Sequence, residues 1–302
     1  MSSMRSDSIA ARERRAVITT AELLALGVMV VVVCWLIFPR DLADSLRAAE
    51  MDAVSLSYSN AWLRAEPNDF PLRLLLAEEL IELGRFDEAY EQLDYVAANA
   101  GSDRFLLRQQ WLQARMPFVA LMAVPPEYRH DDPLQEQALE ALLALRPEDL
   151  DYRQLERYAE MALILGRPDR AVAAYHQLAE RQDNPAGWYR RAGDAFLARG
   201  RYQEAAQEYL LAMGARAGTD GARDDFLTAM ATLQAGGYLD QALREARRYE
   251  RAFLADNEVL FRLMKLAQAA GNAQRAEYYA SLLLRLRDRA APAAIGPAEG
   301  QP

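Results

Sequence analysis

The stretch RLLLAEELIELGRFDEAYEQL, residues 73–93, decides the fold. Two strongly helical runs are interrupted by a single Gly84, and an aromatic, two acids and Ala89 follow within five residues. Glycine supplies the backbone angle that ends a helix, so the interruption predicts two short helices folded back on each other. The same offset recurs along the chain, from Gly166 to Ala171, Gly200 to Ala205, Gly237 to Ala242 and Gly271 to Ala276. Gly166 and Gly200 lie 34 residues apart, as do Gly237 and Gly271. Self-similarity at a fixed period marks a repeat architecture in which each unit buries its face on the next.

The copy at Tyr189, Ala192, Gly193 and Phe196, continued by Ala205 and Tyr209, carries small residues where two helices approach and aromatics beside them. In the opening copy Leu76, Ala77, Leu80, Ala89 and Leu93 take these places, and Pro67 ends the preceding unit. Period and spacing resemble the tetratricopeptide repeat family. The resemblance implies an all-α fold with a tetratricopeptide-type α-solenoid over residues 67–288, which a single N-terminal transmembrane helix, read from its own apolar run, would precede. Composition agrees, since 52% of residues are hydrophobic and strand-type alternation is absent. A capping helical segment is expected over 42–66. Pro117, Pro125, Pro126 and Pro133 predict an irregular insertion near 116–133, with a helix over Asp103–Arg115 before it and another over Leu134–Leu145 after it. The Ala-, Pro- and Gly-rich residues 289–302 are expected to be disordered.

Residues 17–38 form an apolar run broken only by Glu22, long enough at roughly 33 Å to cross a bilayer core of ~30 Å. It ends in Trp35, Leu36, Ile37 and Phe38 rather than small residues, which favours an uncleaved anchor over a signal peptide. Arg5, Arg12, Arg14 and Arg15 precede it, against Arg40 and Arg47 after it. This bias predicts a cytoplasmic basic tail over 1–16 and a single-pass bacterial inner-membrane protein with a periplasmic repeat region. The lone Cys34 falls in that run, so no disulfide within the chain is possible.

Net charge is −9, and with +2 on residues 1–15 the remainder carries −11. Such a balance argues against nucleic acid as a partner. His130, beside Asp131 and Asp132, reads as a solvated loop residue, and His176 as a surface residue on a second helix. GARAGTDGARDD, residues 214–225, has three glycines but no preceding strand or phosphate-binding Lys, and reads as a linker. No nucleophile with its base is recognisable, so no enzyme activity, cofactor or metal is expected. Trp111 and Trp188 are expected to pack between helices.

Function in a repeat array is expected on the concave groove lined by first helices. Glu78, Arg153, Glu156, Arg157, Glu160, Arg190, Asp194, Phe261 and Lys265 are its candidate partner-binding residues. Arg153, Arg157 and Arg190 would form a basic patch suited to a carboxylate-bearing partner. A narrower resemblance rests on the basic tail, the anchor ending CWLIFPRDL and the run SLSYSNAWLRAEPNDFPLRLLLAEELIELGRFDEA. It is similar to the N-terminal part of the PelB family of Pel exopolysaccharide export proteins. That likeness implies a membrane-anchored periplasmic scaffold whose partners are proteins of an envelope complex, including a polysaccharide-modifying enzyme and an outer-membrane pore. Alternating strands are absent, so the family's barrel is not expected here. The alternative is a general envelope assembly or chaperone-type adaptor, serving cytochrome maturation or quality control.

Overall fold

The computed structural model describes residues 28–29 and 53–290. These are all-helical, with no strand among them. The first long helix, α1 (Ala53–Ala65), is followed by six antiparallel pairs among the described residues. The pairs are α2 (Phe70–Glu82) with α3 (Phe86–Asn99), α4 (Asp103–Ala123) with α5 (Pro133–Ala144), and α6 (Tyr152–Ile164) with α7 (Pro168–Glu180). Then come α8 (Ala186–Leu197) with α9 (Tyr202–Ala215), α10 (Asp220–Ala235) with α11 (Leu239–Tyr249), and α12 (Asn257–Ala269) with α13 (Ala273–Ala290). No helix of the described residues is long and apolar enough to cross a membrane. The expected basic tail, the anchor apart from Val28 and Met29, and residues 291–302 lie outside the described residues.

The five glycines of the sequence repeat do one job. Gly84, Gly166, Gly200, Gly237 and Gly271 all have φ between 68° and 79°, in the left-handed region. At each one the next residue's N–H returns to the carbonyl four residues before the glycine, as in Arg85 to Leu80, Arg167 to Ala162 and Arg201 to Phe196. This closes the helix end and satisfies its free carbonyls, and the chain reverses at once into the second helix. First helices start differently: Asp69, Asp151 and Asp256 accept backbone N–H groups of α2, α6 and α12, and Asp151 with Gln154 makes a complete capping box. Five residues after the glycines, Ala89, Ala171, Ala205, Ala242 and Ala276 are all buried where the paired helices touch. Ala205→Leu should therefore overpack that contact and cost about 1 to 3 kcal/mol, read as a lower urea midpoint. An unchanged midpoint would place Ala205 elsewhere.

Three sequence expectations change. The irregular segment is shorter than predicted, because α4 runs unbroken through Pro117 to Ala123. The proline removes one helical hydrogen bond, at a cost of about 3 kcal/mol. Burial of Trp111, Leu112, Met116 and Leu121 around it contributes about 1.5–3 kcal/mol per side chain and outweighs that loss. The break between α4 and α5 spans only 124–132, with a 3-10 turn at Arg129–Asp131, and there the Arg129 guanidinium donates to the carbonyls of Val124 and Met122 and closes the α4 end. The glycine-rich 214–225 is mostly helix, with only residues 216–219 between α9 and α10. Finally, α13 continues through Arg289 and Ala290, two residues into the tail expected to be disordered.

Candidate binding surface

All nine predicted residues fall on first helices, and three of them, Glu78, Glu156 and Arg190, tie one pair to the next. Glu78 on α2 accepts from Arg108 at 2.9 Å and Arg115 at 3.3 Å, both on α4. Arg115 is buried and also pairs with Glu82. Glu156 on α6 accepts from Arg191 on α8 at 2.8 Å, and this bond raises the Arg191 pKa. The Arg191 guanidinium also lies 4.6 Å over the Trp188 ring. Both predicted tryptophans, Trp111 and Trp188, are buried; Trp188 packs between Tyr152 and Tyr175.

Arg190 does not extend the basic patch. Its Nε lies 3.1 Å from Oδ1 of Asp225 on α10, a fully buried carboxylate that Arg216 approaches at 3.8 Å. Neither Asp225 oxygen has a hydrogen bond of good geometry, and burial pushes its pKa above the usual carboxylate value, against the pull of the two arginines. Asp194 likewise serves the interior, accepting from the Tyr209 hydroxyl at 2.6 Å. Burial, then that bond, raises the Tyr209 pKa.

Arg153, Arg157 and Glu160 are exposed on α6, and none makes an ion pair with a described residue. Phe261 and Lys265 on α12 line a cleft of about 410 Å³ against α10, whose wall includes Leu227, Thr228, Met230 and Gln234. Lys265 Nζ stands 5.7 Å from the Phe261 ring centre, and that ring is half exposed. The predicted residues left free to bind therefore stand in two separate places: the charged face of α6 and the aromatic cleft between α10 and α12. The first suits carboxylates, the second an apolar side chain next to an anion.

Sequence reading missed Asp225, although a signal existed. Twelve residues before the hairpin glycines stand Leu72, Gln154, Trp188, Asp225 and Val259, and a buried acid among mostly apolar residues is out of pattern. His176 is not a plain surface residue: its Nε2 is 2.7 Å from Oε2 of the buried Glu208, and its ring meets Tyr189 edge-on. His130 lies in the turn after α4, and no group of three or more metal-ligating side chains occurs among the described residues.

No protein-family model matches the chain, and no curated protein matches it. Among solved structures it is similar to BtubC (BKLC) from P. vanneervenii, 18% identical over 78% of this chain and 97% of that one, with a TM-score of 0.33. A likeness that distant bears on neither fold family nor function.

Proposed function

We propose that the chain is a membrane-anchored, periplasmic scaffold of tetratricopeptide type that holds protein partners of an envelope complex, in a Pel-like exopolysaccharide export machinery. The observation that carries this reading is the repeated pair closed by a left-handed glycine, with two of the glycine intervals at 34 residues. Ion pairs between successive first helices then stiffen the array, while the α6 charges and the α10–α12 cleft stay open to a partner. The anchor and the export role rest on the sequence run over 17–38 and on the N-terminal resemblance.

Two measurements test the reading. A phosphatase reporter fused after Ala293 should be active outside the cytoplasm, whereas activity of a cytoplasmic reporter alone at that point sinks the topology. Arg153→Glu with Arg157→Glu should abolish co-purification of the polysaccharide-modifying enzyme without changing the helical circular dichroism spectrum, because neither arginine makes an ion pair with a described residue. Undiminished capture by the double variant would remove α6 from the binding surface.

A further inference from the structure

A larger cleft lies away from the surface just described. It has a volume of about 650 Å³ and opens where the end of α9, residues 216–219 and the start of α10 face the segment after α11. It coincides with the one break in phase between consecutive hairpin glycines after Gly166: Gly200 and Gly237 are 37 residues apart, flanked by two intervals of 34. The three extra residues lengthen α10 to 16 residues, against 12 in α8 and 13 in α12. A repeat that departs from its own period and leaves a hole at that place has lost packing contacts there rather than gained them.

The floor of the cleft is apolar, formed by Met213, Tyr249 and Phe253, and Phe253 is stacked on Phe226 at 4.9 Å. Six of the other lining residues are Gly or Ala, so the walls stand back from this floor. A Cβ added at Gly214 would meet nothing within 4 Å. The rim is acidic. Arg223 is already held by Asp224 at 3.1 Å and Asp256 at 4.0 Å, whereas the exposed Asp220 makes no ion pair with a described residue.

We propose that this cleft is a docking site for a partner-protein segment presenting one large apolar side chain flanked by Lys or Arg. The apolar side chain would cover Tyr249 and Phe253, removing their remaining exposed surface from water. The flanking cation would answer Asp220, since the other lining acid, Asp256, already faces Arg223 at 4.0 Å. This site is independent of the α6 face and of the α10–α12 cleft, so it stands or falls separately from the scaffold reading.

The test uses the full chain in a zwitterionic lipid nanodisc, with empty nanodiscs as control. The probe is the peptide Gly-Lys-(4-fluorophenylalanine)-Lys-Gly, followed by fluorine NMR. Saturable binding is expected, and the same peptide with Glu in place of both Lys should bind at least about tenfold more weakly. Gly214→Leu with Ala252→Leu, which fills the open side of the cleft, should abolish binding while the circular dichroism spectrum is retained. Should that variant misfold, Asp220→Lys carries the test, with an expected loss of about fivefold or more. Equal affinity for both peptides, wild-type affinity after filling or after Asp220→Lys, or no saturable binding up to about 1 mM would overturn the proposal. So would tighter peptide binding on deleting residues 291–302, which would make the chain's own tail the occupant. Self-association abolished by the filling variant would assign the cleft to a second copy and also overturn it.

Discussion

Arg190→Glu is expected to destabilise the protein by about 3 kcal/mol or more, although Arg190 sits on an open face and looks replaceable. The loss arises on the neighbouring pair. Asp225 is fully buried, has no well-formed hydrogen bond, and keeps only Arg216 at 3.8 Å once Arg190 is gone. Breaking a buried pair by removing one partner leaves an uncompensated charge, the costly case, and the introduced carboxylate adds repulsion. The pH dependence has a definite sign. The Asp225 pKa is already raised by burial, so the folded state holds this proton more tightly than the unfolded chain, and more so in the variant. Stability of the variant relative to wild type should therefore improve as pH falls toward the carboxylate range and worsen as pH rises. Urea unfolding on the acidic and the alkaline side of neutrality reads this directly, and a gap that widened on acidification would refute it. Replacing Asp225 by Val, the residue Val259 provides at the matching place in the next pair, should be neutral or stabilising. In that background Arg190→Glu should lose most of its effect.

Gly193→Val is expected to cost about 3 kcal/mol through a clash. A Cβ on Gly193 would lie 2.6 Å from Cε1 and 2.9 Å from Cδ1 of Tyr209, nearer than side-chain carbons pack. Tyr209 cannot swing aside, because it is buried and its hydroxyl is bonded to Asp194 at 2.6 Å. Helix propensity compensates by only a few tenths of a kcal/mol, since valine, stiff at χ1, is only slightly better than glycine in a helix. A double-mutant cycle separates this contact from a general helix effect: with Tyr209→Leu the valine should be tolerated far better, giving a coupling of about 1–3 kcal/mol. Additive effects would mean that Gly193 does not set the approach of α8 to α9.

Pairing of helices was readable from sequence because it depends on single residues acting locally. A glycine at Gly84, Gly166, Gly200, Gly237 or Gly271 ends a helix through its own backbone freedom, and Ala five residues later permits close approach whatever surrounds the pair. Placing the candidate residues on first helices followed from that register. What each of them contacts did not, because the ion pairs join residues on different helix pairs, and a charged residue looks the same in sequence whether solvated or bound. Glu156 finds Arg191 and Arg190 finds Asp225 only when α6, α8 and α10 stack, leaving Arg153 and Arg157 without an ion pair among the described residues. Local rules also misjudged Pro117: they count one lost hydrogen bond, whereas the helix persists because Trp111, Leu112, Met116 and Leu121 are buried around it. The amino-acid sequence by itself determined that the chain folds into glycine-closed helical pairs, since those signals act within one turn of backbone. Only the stacking of pairs decided which charges are spent on neighbouring helices and where clefts remain, because burial and charge pairing are properties of side chains far apart in the chain.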